Sequence, residues 1–170
     1  VQSIKKRPRP GNFVEANFPA LLVRVGYARR GSPQEGLYNR GRSPLVIEAD
    51  ISFNEPVGDI QNVKLGEDGA LISVYSLSDL IAEKLRALLQ QERRNRYRRQ
   101  DVYDIALLLN TIELDAAERA RLFQNFIQKC EPHNISPIVN SLSSPEIIRR
   151  AKAEWDSLNL ELGEIPPFDE

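Results

Sequence analysis

After Tyr75 the apolar residues stop recurring at every second position and begin to recur at every third and fourth, and the pattern never changes back. That single change of period constrains the fold most. Strands belong before residue 75 and helices after it, which is the segregated order of an α+β protein and not the alternation of a parallel α/β sheet. Before the change, residues 18–27 (FPALLVRVGY) are rich in strand formers. Residues 45–53 alternate so that Leu45, Ile47, Ala49, Ile51 and Phe53 face one way, and Val46, Glu48, Asp50 and Ser52 the other. Residues 70–75 predict a third, short strand. Residues 54–69 read as loop with a turn at 66–69, and residues 29–44, with three Gly, two Pro and four Arg, as a polar turn-rich connection. The opening Lys5-Lys6-Arg7-Pro8-Arg9-Pro10-Gly11 predicts an extended basic arm, since its prolines disfavour helix and central strand alike.

After the change, Ser76 or Ser78 caps a helix whose apolar positions are Leu77, Leu80, Ile81, Leu85, Leu88 and Leu89. It ends at the arginine-rich residues 93–99. A second helix runs from about Asp101 to Asn110, and a third from Leu114-Asp115 to about Cys130. Ser144-Pro145-Glu146 combines a cap, a proline at the first helical position and an early acid, which predicts a helix to about Leu158. Residues 134–142 suit a short helix between them, and the tail from Asn159 reads as irregular. The expected organisation is therefore a β-containing region over 1–75, a helical domain over 76–158 and a tail over 159–170: a small β-sheet followed by a C-terminal helical bundle.

A chain of 170 residues, 41% hydrophobic, buries enough surface to need no disulfide or metal staple. Its longest apolar runs, residues 20–23 and 105–109, fall far short of a membrane span. One Cys and no secretory pattern point to a reducing cytoplasm. The chain holds no Met and begins with Val, so upstream sequence is expected. The net charge of −1 conceals segregation: residues 1–44 carry +7, 45–83 carry −7, 84–99 carry +6 and 100–170 carry −7. Basic stripes beside carboxylate-rich segments suit a phosphate-bearing partner, although solvated faces give the same pattern.

Several residues break the local rule. Lys84 falls on the apolar stripe of its helix, three after Ile81 and four before Leu88. It either snorkels to water or meets a phosphate as a point charge. Asp101 and Asp104 share a face at a helix start, where the helix dipole alone favours acids, and where a carboxylate pair also serves a divalent ion or a proton transfer. Glu48 and Asp50 share one face of a strand, which is either its wet side or the lining of a metal site. Arg93, Arg94, Arg96, Arg98 and Arg99, with Tyr97 among them, form the densest basic stretch, with guanidinium forks for phosphate and a ring for a base. Cys130 and His133 have C-x-x-H spacing without a second pair of ligands, which argues against zinc. No nucleophile elbow, dinucleotide fingerprint or Walker loop is present.

Three pieces taken in order, residues 47–53 (IEADISF), 75–88 (YSLSDLIAEKLRAL) and 98–105 (RRQDVYDI), resemble the nucleotidyl transferase AbiEii/AbiGii toxin family. The likeness covers about residues 20–110. It implies a partial nucleotidyltransferase-like sheet before the helices, a bacterial toxin of toxin–antitoxin or phage-abortive (abortive infection) systems, and transfer of a nucleotide from an NTP to RNA, tRNA ends among the acceptors. By the same resemblance Asp50, with Glu48 beside it, matches a strand carboxylate for Mg²⁺. Lys84 matches the helix lysine near the nucleotide phosphates; Arg96, Arg98 and Arg99 of the basic stretch are, on their own chemistry, the further candidates for phosphate binding. Asp101 and Asp104 match the acids of the family's arginine/glutamine–aspartate motif. The family's first motif, a Gly-Ser turn followed by Asp-x-Asp, is not found in residues 1–44. A C-terminal portion of a longer protein, or a truncated and degenerate member, is therefore expected, and a poor catalyst by itself. The rival expectations are a non-catalytic nucleic-acid-binding module acting through the basic arm and residues 93–99, and a module that docks an antitoxin through its helices.

Overall fold

In a computed structural model the chain is described over residues 1–8, 10–67 and 69–168. Arg9 of the expected arm, Asp68 of the expected turn, and Asp169 and Glu170 of the tail lie outside the described residues. The chain divides into two compact units, Val1–Glu55 and Pro56–Glu170. The structure is α+β, with small antiparallel sheets first and helices after.

The first unit is a three-stranded antiparallel sheet of β1 (Ser3–Arg7), β2 (Ala20–Tyr27) and β3 (Leu45–Ser52), in the order β1-β2-β3. β2 pairs with β3 from Ala20↔Ser52 to Tyr27↔Leu45, so Glu48 lies opposite Arg24 and Asp50 opposite Leu22, both on the face away from Ile47 and Ile51. That matches the alternation read from the sequence. The opening arm is corrected: residues 3–7 pair with β2 from Ser3↔Arg24 to Arg7↔Ala20. Pro8 lacks only its own N–H and does not prevent the residues before it from pairing, and β1 ends just before it. Lysines and an arginine on an edge strand are a usual guard against pairing with another chain. The connection at residues 28–44 also holds a short helix, α1 (Glu35–Asn39).

The second unit opens with a two-stranded hairpin, β4 (Ile60–Lys64) and β5 (Leu71–Tyr75), in register from Ile60↔Tyr75 to Lys64↔Leu71. β4 corrects the loop expected over 54–69. Its residues are all exposed, so no face was selected for apolar residues and no alternation could mark it. Five helices follow: α2 (Leu77–Leu89), α3 (Arg99–Thr111), α4 (Ala116–Cys130), α5 (Pro145–Lys152) and α6 (Asn159–Leu162).

The caps follow the sequence. The Ser76 hydroxyl accepts the Asp79 N–H. Asp115 and Glu118 form a reciprocal capping box, and Ser144 caps α5 with Pro145 behind it. α2 is the centre of the unit. One cluster joins its Ile81 and Leu88 to Ile105 of α3, and another joins its Ala82 to Phe126 and Cys130 of α4. Each such buried side chain is worth roughly 1.5–3 kcal/mol.

Three expectations after residue 130 are corrected. Residues 134–140 are not helical; short 3₁₀ turns flank them at Glu131–His133 and Ser141–Ser143. The helix expected to reach Leu158 stops at Lys152, because Ala153 is extended and Glu154 takes a φ of 57°. The tail begins with α6, and the Trp155 indole N–H donates to the Pro166 carbonyl at 2.9 Å while its ring meets Phe168 edge-on at 5.1 Å. Burying Trp155 against the tail outweighs continuing the helix.

A buried ion pair fixes the start of α2. Asp79 is fully buried, and the Lys129 ammonium of α4, 4% exposed, lies 3.0 Å from its Oδ2. Asp79 Oδ1 accepts the Gly58 N–H at 2.9 Å, and Lys129 donates to the Pro56 carbonyl at 2.8 Å. A Cβ on residue 58 would stand 2.5 Å from Asp79 Oδ1, so only glycine fits there. Lys129→Ala strands a buried carboxylate and is expected to cost about 3–5 kcal/mol in urea unfolding, whereas Asp79→Leu with Lys129→Met is expected to recover most of that loss.

Candidate functional site

On α2, Lys84 lies between two residues of the core cluster, Ile81 one turn before and Leu88 one turn after, so its side chain leaves the helix on the side facing α3. On α3, Asp101, Asp104, Ile105 and Leu108 share one face. Ile105 and Leu108 pack into that same cluster, and this brings the two acids to Lys84. The Lys84 ammonium donates to Asp101 Oδ1 at 2.9 Å and to Asp104 Oδ2 at 2.7 Å. The Lys84 side chain is 18% exposed, Asp101 15% and Asp104 33%. Asp101 sits in the first turn of α3, where the unpaired N–H groups favour a negative charge. Its other oxygen accepts from Arg98 Nη1 at 3.2 Å.

The valences of this cluster decide what remains for a ligand. Both oxygens of Asp101 are occupied, one by Lys84 and one by Arg98. Asp104 is held through Oδ2 alone and is the more open of the two acids. An ammonium has three N–H donors, and the two aspartates take two. Burial alone would lower the Lys84 pKa, but the hydrogen bonds it donates to Asp104 and Asp101 and their charges outweigh it, so the pKa is raised above 10.5. The lysine is thus a cation at neutral pH and not a base.

Beside Asp101 a polar cleft of about 190 Å³ is lined by Tyr97, Arg98, Arg99, Gln100 and Glu161 among others. The Nε–H groups of Arg98 and Arg99 are buried there without a hydrogen-bond partner, while an Nη of Arg99 reaches Glu154 at 3.4 Å. Arg96 is exposed on the connection between α2 and α3 and does not line this cleft.

That connection is held by residues the sequence reading passed over. Asn95 takes a φ of 47°, and its side-chain oxygen accepts from Arg150 of α5 at 3.3 Å. The Arg150 guanidinium also lies 5.7 Å from the centre of the Tyr97 ring. The Gln91 amide donates to the Ile147 carbonyl at 3.0 Å. Hydrogen bonds from Arg149 first and then Arg150 hold the Glu146 carboxyl down to about 2, so Glu146 anchors both arginines across the neutral range. The one visible signal was the spacing of Glu146 from Arg149 and Arg150, three and four residues on.

Glu48 and Asp50 belong to the first compact unit. Glu48 pairs with Arg24 at 2.9 Å and Asp50 with Arg7 at 3.4 Å, each carboxylate more than half exposed. Two oxygen donors on one strand face, held only by exposed arginines, fit a hard cation such as Mg²⁺, which takes one or two carboxylates and completes its shell with water and phosphate. Among the described residues no group of three or more His, Cys, Asp or Glu gathers as for a metal. Cys130 is packed in the core, and burial pushes its thiol up to about 11 despite the nearby Arg86, so it is an inert hydrophobe.

By fold and site this is an α+β protein with a helix-borne lysine clamped between two aspartates beside an arginine-lined cleft. The family model of the nucleotidyl transferase AbiEii toxin of type IV toxin–antitoxin systems matches residues 2–170, and the chain belongs to that family. No curated protein and no solved structure matches it. Among the described residues no helix is long and apolar enough to cross a membrane.

Because the folded-state pKa of Lys84 lies above its unfolded value, the stability it contributes is complete below about pH 10.5 and is lost as pH rises through the higher folded value. Lys84→Met is expected to cost about 1–3 kcal/mol at neutral pH, chiefly by removing the Lys84 hydrogen bond from Asp104 and from Asp101, which keeps only Arg98. Urea unfolding of the two proteins from pH 7 to 12 should show that gap constant at first and narrowing only above pH 10.5.

Proposed function

We propose that this chain contributes the phosphate-binding half of a nucleotidyltransferase that transfers a nucleotide from an NTP to RNA. The observation that carries the reading is Lys84, a fixed cation with one donor to spare, set beside a cleft with two unsatisfied arginine N–H groups. A cation of this kind offsets the charge of a polyphosphate, which is most of what a protein contributes to phosphoryl and nucleotidyl transfer. An RNA hydroxyl attacks the α-phosphorus, the new P–O bond forms, and pyrophosphate leaves with the electrons of the broken bond.

Each residue then has a separate part. Lys84 donates to a phosphate oxygen. Arg98 and Arg99 offer guanidinium N–H groups to the same polyphosphate, and exposed Arg96 meets phosphate at the rim. Asp101, with both oxygens used, orients Lys84 and Arg98. Asp104 keeps an oxygen for the proton of the attacking hydroxyl. Glu48 and Asp50 would hold Mg²⁺, which when bound neutralises phosphate charge and polarises the phosphoryl oxygens. The partner of such a toxin is an antitoxin, and the reaction belongs in the cytoplasm, where NTP and RNA are found.

Calorimetric titration with a nonhydrolysable NTP and Mg²⁺ tests the reading. Binding should weaken at least tenfold in Lys84→Ala, which is about 1.4 kcal/mol, and by a similar factor in Arg98→Gln. Asp104→Asn should bind with little change, since it keeps its bond to Lys84. No binding by the unaltered chain, or binding indifferent to Lys84, would sink the proposal.

A further inference from the structure

Residues 28–44, which join β2 to β3, form a built loop. Its base is closed by the Tyr27↔Leu45 pair, by the Ser43 hydroxyl lying between the carbonyls of those two residues, and by the Gln2 side-chain amide donating to the Ser43 carbonyl at 2.8 Å. Gly26 is required there: a Cβ would stand 2.8 Å from Gln2 Nε2 and 2.9 Å from the Ser43 Cβ. Inside the loop Arg40 and Arg42 N–H groups both reach the Leu37 carbonyl, at 3.2 and 2.9 Å, and Ser32 N–H reaches the Arg29 carbonyl at 3.0 Å. Gly31 and Gly41 take φ values of +76° and +72°. The loop's one acid, Glu35, is turned onto the Gly31 N–H at 2.7 Å.

The arginines are left over. Arg29, Arg30, Arg40 and Arg42 are all exposed, and none makes an ion pair or a side-chain hydrogen bond among the described residues. Folding gains nothing from four like charges on one ordered loop, and their repulsion opposes it. Beside them runs an open groove of about 800 Å³, lined by Gln2, Tyr38, Asn39, Arg42 and Ser43 among others. Tyr38 is 47% exposed. Arg42, an open aromatic ring and side-chain amides line this groove, and Arg29, Arg30 and Arg40 stand on the same loop; guanidinium forks for phosphate oxygens and a ring for a base are the parts used to hold a single-stranded polynucleotide.

We infer that the β2–β3 loop binds the backbone of single-stranded RNA, with Arg29, Arg30, Arg40 and Arg42 on phosphates and Tyr38 under a base. This rests on the reading above, in which RNA is the acceptor, and adds a surface remote in sequence from Lys84. Its concave shape and amide lining favour a strand over a flat lipid surface.

Fluorescence anisotropy of a labelled mixed-sequence oligoribonucleotide, read across a salt series, tests it on the full chain. The proteins are the unaltered chain, the fourfold Arg→Gln variant at 29, 30, 40 and 42, Tyr38→Ala and Lys84→Ala, each checked for folding by circular dichroism. The fourfold variant should lose at least tenfold in RNA affinity, with a salt slope shallower by about 3, since each single-strand phosphate contact contributes roughly 0.7. Tyr38→Ala should lose several-fold with the slope unchanged, and NTP titration of both should match the unaltered chain. Unchanged RNA affinity in the fourfold variant overturns the inference; if affinity falls in Lys84→Ala instead, the reading of the Lys84 site survives. If no RNA binds to the unaltered chain, the loop assignment and the RNA half of that reading fail together, and NTP titration still decides the nucleotide half. Loop-dependent capture by phosphatidylserine vesicles without RNA binding overturns the inference in favour of a membrane.

Discussion

The helical unit depends on one buried charge pair. Asp79 and Lys129 have almost no contact with water, and neither is tolerable there without the other. Their pairing joins the first turn of α2 to the last turn of α4 and draws in the backbone at Pro56 and Gly58. A pair of leucines would hold the two helices together as well, but would not satisfy the Pro56 carbonyl and the Gly58 N–H. The ion pair therefore fixes where the chain passes into β4, as well as how α2 lies against α4. With α2 held from that side, its apolar stripe packs on α3, Leu122 and Leu142, and Lys84 meets the two acids of α3.

The second charged cluster is of a different kind. Lys84, Asp101 and Asp104 retain partial access to water, and their valences are not all spent. One carboxylate holds a donor on each oxygen, the other on one oxygen, and the ammonium has a donor left. A purely structural clamp gains most when every donor and acceptor is matched. The mismatch here is matched in turn by the buried, unpartnered Nε–H groups of Arg98 and Arg99 in the adjoining cleft. The α5 arginines, anchored by Glu146, hold the connection that carries those donors, so the cleft is rigid before anything enters it.

The parts legible in sequence were those with a local cause. Ser76, Asp115 and Ser144 announced their helices through capping chemistry, and Lys84 announced itself by standing on an apolar stripe. Asp101 and Asp104 needed only the helical repeat to be set on one face. The illegible parts have long-range causes or no periodic signal. β4 exposes every residue, so burial left no mark on its sequence. Asp79 carries no local mark of its role, and nothing near it in sequence tells of Lys129. The break after Lys152 comes from Trp155, whose indole N–H and ring find partners at Pro166 and Phe168 only once the tail has folded back. Pro8 was read as forbidding a strand around it, although it lacks only its own N–H and leaves the residues before it free to pair.

Both compact units contain paired and unpaired positive charge, and where the unpaired charge sits differs between them. In the helical unit Lys84, Arg86, Arg98, Arg99, Lys129, Arg149 and Arg150 each meet a carboxylate. There these seven charges are absorbed into the structure, while Lys64, Arg96, Arg119 and Arg121 meet no carboxylate among the described residues. In the sheet unit the two arginines facing β3 carboxylates are paired across exposed surface, where such bonds are worth little. The four arginines of the β2–β3 loop meet none. A loop whose Gly31, Gly41, Ser43 and single acid serve its own shape, while its four guanidinium groups have no partner among the described residues, is suited to a partner it does not contain. Charge that stabilises nothing within the molecule is the clearest physical sign of charge that acts outside it.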